Sequence, residues 1–122
     1  MRILPVIVIC ARLLFALILI MALVAGMKSQ PVTQVIPHFD LILHCGVFAV
    51  LAFLWLVGTA RRFWLWGLVG LLLLGAGLEL WQGWIMPART ASLFDMAANG
   101  TGVALGALAF FVLARFLRHL KG

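Results

Sequence analysis

An all-α integral membrane four-helix bundle is predicted by three features of this chain. Its 122 residues are 66% hydrophobic and 10% charged, with a mean hydropathy of +1.25. A soluble domain of this size has too little interior to hide so much apolar surface. Four apolar runs approach or reach the ~20 residues that a spanning helix needs. The polar residues between them fall into short breaks, which leaves one domain over residues 1–122, with helices at about 3–26, 40–58, 63–85 and 93–117.

The first run starts between Arg2 and Arg12 and stops at Gly26-Met27-Lys28. A basic start, apolar residues 13–24 and the small pair Ala25-Gly26 would also suit a signal peptide. Apolar residues upstream of Arg12, and the spans that follow, favour an uncleaved helix with Arg12 snorkelling to the headgroups. Residues 28–37 (KSQPVTQVIP) have loop chemistry, with proline near both ends. Arg61-Arg62 stop the second helix, Pro87 stops the third, and Arg118, His119 and Lys121 follow the fourth. Trp64 and Trp66 suit one interfacial belt, Trp81 and Trp84 the other. Cys10 and Cys45 lie in apolar runs without metal-ligand spacing and read as free packing residues.

The formal charge of +6 does not point to nucleic acid, because the basic residues are dispersed over helix ends. They set orientation instead. Arg2, Arg12, Arg61, Arg62, Arg115, Arg118 and Lys121 share one side of a four-span layout; Lys28 and Arg89 share the other. Seven against two puts both termini in the cytoplasm, with membrane lipids as the surrounding partner.

Against this background the polar residues of the stretch from Glu79 to Gly106 stand out. Glu79, Gln82, Arg89, Asp95 and Asn99 fall within 21 residues, in a chain with only three acidic groups. The third acid, Asp40, opens the second helix. Asp40 and His44 are four apart and share a helix face, as do Asp95 and Asn99; Glu79 and Gln82 are three apart. At ~1.5 Å per residue, His44 lies about 6 Å inward of Asp40, and Glu79 about 12 Å inward of Pro87. Three polar pairs at similar depth would be costly facing lipid, so they are expected to converge in one outward-facing pocket. Gly75, Gly102 and Gly106 supply small residues for close helix approach beneath it. Arg89 is the natural counter-ion, since a guanidinium can bridge two carboxylates.

Each group also has a plain structural role to set against function. Asp40 and Asp95 suit helix N-termini, where a carboxylate is favourable. Gln82 reads as interhelical glue. His44 reads either as a satisfied buried imidazole or as a proton carrier beside a carboxylate. Glu79 has no capping role, because it lies well inside a span, and an ionisable group at that depth is functional by default.

The pieces DLILHCGVF (residues 40–48) and ELWQGWIMPARTASLFDMAANGTGVALG (residues 79–106) resemble the VanZ-like family of small bacterial membrane proteins. The shared pattern is Asp then His four residues on, Glu-x-x-Gln, a Pro-x-Arg turn, and then Asp, Asn and Gly entering the last helix. It falls here on Asp40, His44, Glu79, Gln82, Pro87, Arg89, Asp95, Asn99 and Gly102. Leu41 stands where the family commonly has Lys, and Phe48 where an aromatic hydroxyl is usual, so the site lacks one cation and one donor. The resemblance implies a compartment and a site: an envelope protein of a family named for a protein linked to teicoplanin resistance in enterococci.

The expected activity is therefore binding ahead of catalysis. The pocket would take a lipid headgroup, a lipid-linked cell-wall precursor or a glycopeptide antibiotic through Asp40, His44, Glu79, Gln82, Arg89, Asp95 and Asn99, without a cofactor. No metal-ligand motif is visible in the spacing. An alternative is an intramembrane enzyme on a lipid-linked substrate, with Glu79 or Asp95 as general base and His44 as acid. No nucleophile accompanies them. A small proton-coupled exporter ranks last, since the first helix has no acid and Glu79 is off the midplane.

Overall fold

The computed structural model describes residues 3–26, 39–85 and 93–122, the side chains of Phe39, Asp40 and Ile85 excepted. Four helices account for nearly all of them: α1 (Ile3–Gly26), α2 (Phe39–Gly58), α3 (Trp64–Ile85) and α4 (Leu93–Lys121). All four are long and apolar enough to cross a membrane. Pro5 sits in the first turn of α1, where its missing N–H has no intrahelical partner to lose. The fourth helix runs to Lys121, beyond the expected end near residue 117. Arg118, His119 and Lys121 fill its last turn, where cations suit the carbonyl end of a helix.

α2 is the central element, in contact with all three others, and its contact with α4 is the most extensive. His44 meets Asn99 and Phe53 meets Phe110, so these two helices run parallel. α1 runs antiparallel to α2, Arg12 reaching Gly58 and Phe15 meeting Trp55. α3 runs antiparallel to α4, with Trp64 against Phe110 at one end and Gly75 against Asn99 further along.

The α2–α4 contact is close because of two glycines. Gly102 and Gly106 are buried, and a methyl group on either would run into the backbone carbonyl of Cys45 or Ala49. Small residues of this spacing let helix backbones touch where no hydrophobic effect drives association. Beside this seam the core is Phe48, Leu51, Ala52, Leu71 and Val103, with Phe15, Ile18, Leu19, Val47 and Leu68 packed around it. Phe48 is 4% exposed in this apolar cluster.

At the α2–α3 corner the last carbonyls of α2, which lack intrahelical partners, are collected by side chains. Arg12 Nε donates to the Gly58 carbonyl at 2.6 Å, so Arg12 is a cap on α2 as well as a cationic side chain of α1. Thr59 Oγ1 donates to Trp55 O at 2.6 Å, and Trp64 Nε1 to Thr59 O at 3.2 Å. Trp55 Nε1 donates across the corner to Phe63 O at 3.1 Å, its indole lying over Gly67. Trp64 thus turns inward, packing edge-on against Phe110 and Phe111, whereas Trp66 is fully peripheral. Cys45 is half-buried, and Cys10 lies exposed on α1 rather than packed.

Candidate functional site

At the end of the bundle opposite that corner, a polar layer caps the apolar core. It is built from the first turns of α2 and α4 and the last turns of α3. Glu79, Gln82 and Asn99 are 1%, 4% and 3% exposed, the buried polar side chains among the described residues. His44 and Asp95 are half-buried at its margin.

The register of the helices decides which groups meet. Gly75 leaves room for the Asn99 amide, which a methyl group there would crowd. Asn99 Oδ1 is 2.8 Å from His44 Nδ1. An amide oxygen only accepts, so in this contact Nδ1–H is the donor. His44 from α2, Glu79 from α3 and Asp95 from α4 then bring one donor atom each to within 4.8 Å of one another. Three helices, remote in sequence, supply one cluster.

Gln82 does something different. Its Nε2 donates to the Gly26 carbonyl at 2.8 Å, satisfying an orphan group at the C-terminus of α1. Its role is that of a fastener between α1 and α3. Asp40 stands in the first turn of α2 with its side chain outside the described residues, and Arg89 lies outside them altogether.

The arrangement offers carboxylates and an imidazole oriented by an amide, in a layer roofing an otherwise apolar bundle. Its chemistry is that of holding a cation, of accepting hydrogen bonds from amines or hydroxyls, or of moving a proton. Sequence spacing pairs His44 with Asp40 and Asn99 with Asp95 and leads to the expected convergence of three helices; the cross-helix pair His44–Asn99 is not visible in it. Comparison with family models, with curated proteins and with solved structures finds no match to this chain.

Proposed function

We propose that this chain is a VanZ-like, multi-pass protein of the bacterial inner membrane, with both termini cytoplasmic and a polar pocket facing outward. The pocket binds the polar part of an envelope ligand: a lipid headgroup, a lipid-linked cell-wall precursor or a glycopeptide-type antibiotic. The observation that carries this reading is the near-complete burial of Glu79 beside His44 and Asp95 in a bundle of apolar helices. Ionisable groups gathered at that depth mark a binding or transport path far more often than a structural need. His44 and Asp95, half-buried at the margin of the layer, are the groups an entering headgroup would meet.

The test is retention of ligand. Native mass spectrometry of protein extracted with its own lipids is expected to find a specific lipid or precursor bound to the wild-type chain. Loss of one charged contact in Glu79→Gln should lower that retention about tenfold. Trp66→Ala, on an exposed face at the other end, should leave it unchanged. Equal retention in Glu79→Gln and wild type would refute the pocket.

The second reading, acid–base catalysis on a lipid-linked substrate, is favoured by an imidazole held by Asn99 and gathered with two carboxylates. It predicts turnover: a bound precursor converted to product over time, with the conversion lost in His44→Ala.

A further inference from the structure

We infer that His44, Glu79 and Asp95 form a site for one divalent first-row metal ion of the zinc type, held between α2, α3 and α4. The inference uses the same pocket as the ligand reading above, and so rests on the same convergence of side chains. Three observations lead to it.

The first is geometric. One donor atom from each residue lies within 4.8 Å of the other two. Around a tetrahedral zinc ion with bonds near ~2.1 Å, neighbouring donors are about 3.4 Å apart. A contraction of up to about 1.4 Å from that 4.8 Å would close the site, which is within the reach of rotamer adjustment in three separate side chains.

The second is the support of the imidazole. A ligating histidine nearly always donates its other ring N–H to an oxygen that fixes the tautomer and the ring plane. Here His44 Nδ1 has that oxygen in Asn99 at 2.8 Å, and Asn99 is itself 3% exposed and seated against Gly75. The nitrogen left over is the one that would bind a metal.

The third is the donor set. One imidazole and two carboxylates, without a thiolate, match zinc or manganese better than a soft ion, and the imidazole argues against calcium and magnesium. Three protein ligands leave a coordination position open to water or to an oxygen of a phosphate-bearing headgroup.

The experiment uses the full chain with a histidine-free affinity tag, purified in detergent, stripped with EDTA and titrated with Zn²⁺ alone. One saturable ion per chain is expected. Glu79→Gln and Asp95→Asn should each weaken it at least ~10-fold, and Asn99→Ala, which removes only the support of the imidazole, about 10-fold. His119→Ala, on an exposed residue of the α4 tail, should not change it. Co²⁺ in place of Zn²⁺ should give a visible absorption that His44→Ala abolishes. The wild-type titration requires no variant to fold: absence of saturable Zn²⁺ binding overturns the inference. So does binding that survives in the Glu79→Gln, Asp95→Asn double variant. Lipid retention measured on the stripped and loaded wild type separates the two readings. Metal bound without retained lipid defeats the ligand reading alone; lipid retained without metal defeats this one alone.

Discussion

Among single residues, Asn99 and Gln82 look alike in the sequence, as amides in apolar helices, yet the structure gives them unequal consequences. Gln82 satisfies one carbonyl at a helix end, where water can replace it. Interhelical bonds of this kind average about 0.6 kcal/mol, so Gln82→Leu should lower stability only slightly and leave ligand retention intact. Asn99 is wedged between Gly75 and His44. Asn99→Leu removes the imidazole's partner and puts branched carbons where a flat amide fitted, and should cost about 2 kcal/mol or more. Steric trapping or reversible unfolding in detergent would rank the two. Equal losses would mean that the His44–Asn99 contact contributes nothing. The residues of this layer were legible because each is polar in an apolar chain, but their partners were not. Spacing along one helix pairs Asp95 with Asn99, whereas the actual partner of Asn99 is on α2, chosen by helix rotation and depth.

At the level of elements, rotation and depth are set by the seam between α2 and α4. A helix run is legible from hydropathy alone, and four were read to within a few residues, the overrun of α4 to Lys121 aside. Glycine stripes hint at close approach, but not at which carbonyls they meet. Gly102→Val or Gly106→Val would force a branched side chain into the backbone of Cys45 or Ala49, pushing α2 from α4 and carrying His44 away from Asn99. Either should destabilise by about 3 kcal/mol, as overpacking does in a tight core, and should abolish ligand retention even though the polar residues are untouched. Gly77→Ala is the matched control, since a methyl group there meets nothing. α1 is secured differently: apart from apolar contact with α2 it is tied near mid-helix by Arg12 to Gly58 and at its end by Gly26 to Gln82. Gln82 reads as interhelical glue in the sequence, though not with which partner, whereas Arg12 reads there as a headgroup anchor. The bonds lie on opposite halves of α1, about 20 Å apart, so the losses should add, about 1 kcal/mol for Arg12→Leu and about 0.6 kcal/mol for Gln82→Leu.

Over the whole molecule, charge is sorted by end. From His44 to Gly58 is 14 residues of one helix, about 21 Å, and the carboxylates of Glu79 and Asp95 stand at the first of these levels. Arg12 caps the second level, Arg61 and Arg62 form the corner beside it, and the basic tail of α4 extends past Phe110 on the same side. A bundle polarised in this way should insert in one orientation. By the positive-inside rule the corner and the tail are expected in the cytoplasm, and the carboxylate layer in the outer half of the membrane. The chain makes this directly measurable. In a Cys10→Ser, Cys45→Ala background, a cysteine at Ala60 should resist a membrane-impermeant thiol reagent in intact cells and react once the cells are opened. A cysteine at Ser29, in the preceding loop, should react in intact cells. The cause can be tested as well as the outcome: Arg61→Glu with Arg62→Glu changes the cytoplasmic tally of basic residues from seven to five against two. That still favours the original orientation, so labelling should be unchanged. Adding three lysines to the loop before α2 while both arginines are lost brings the two sides level, and labelling at Ala60 should then appear in a fraction of intact cells. If Ala60 is labelled in intact cells of the parent chain, the acids face the cytoplasm, and a pocket for an envelope ligand loses its access to the outside.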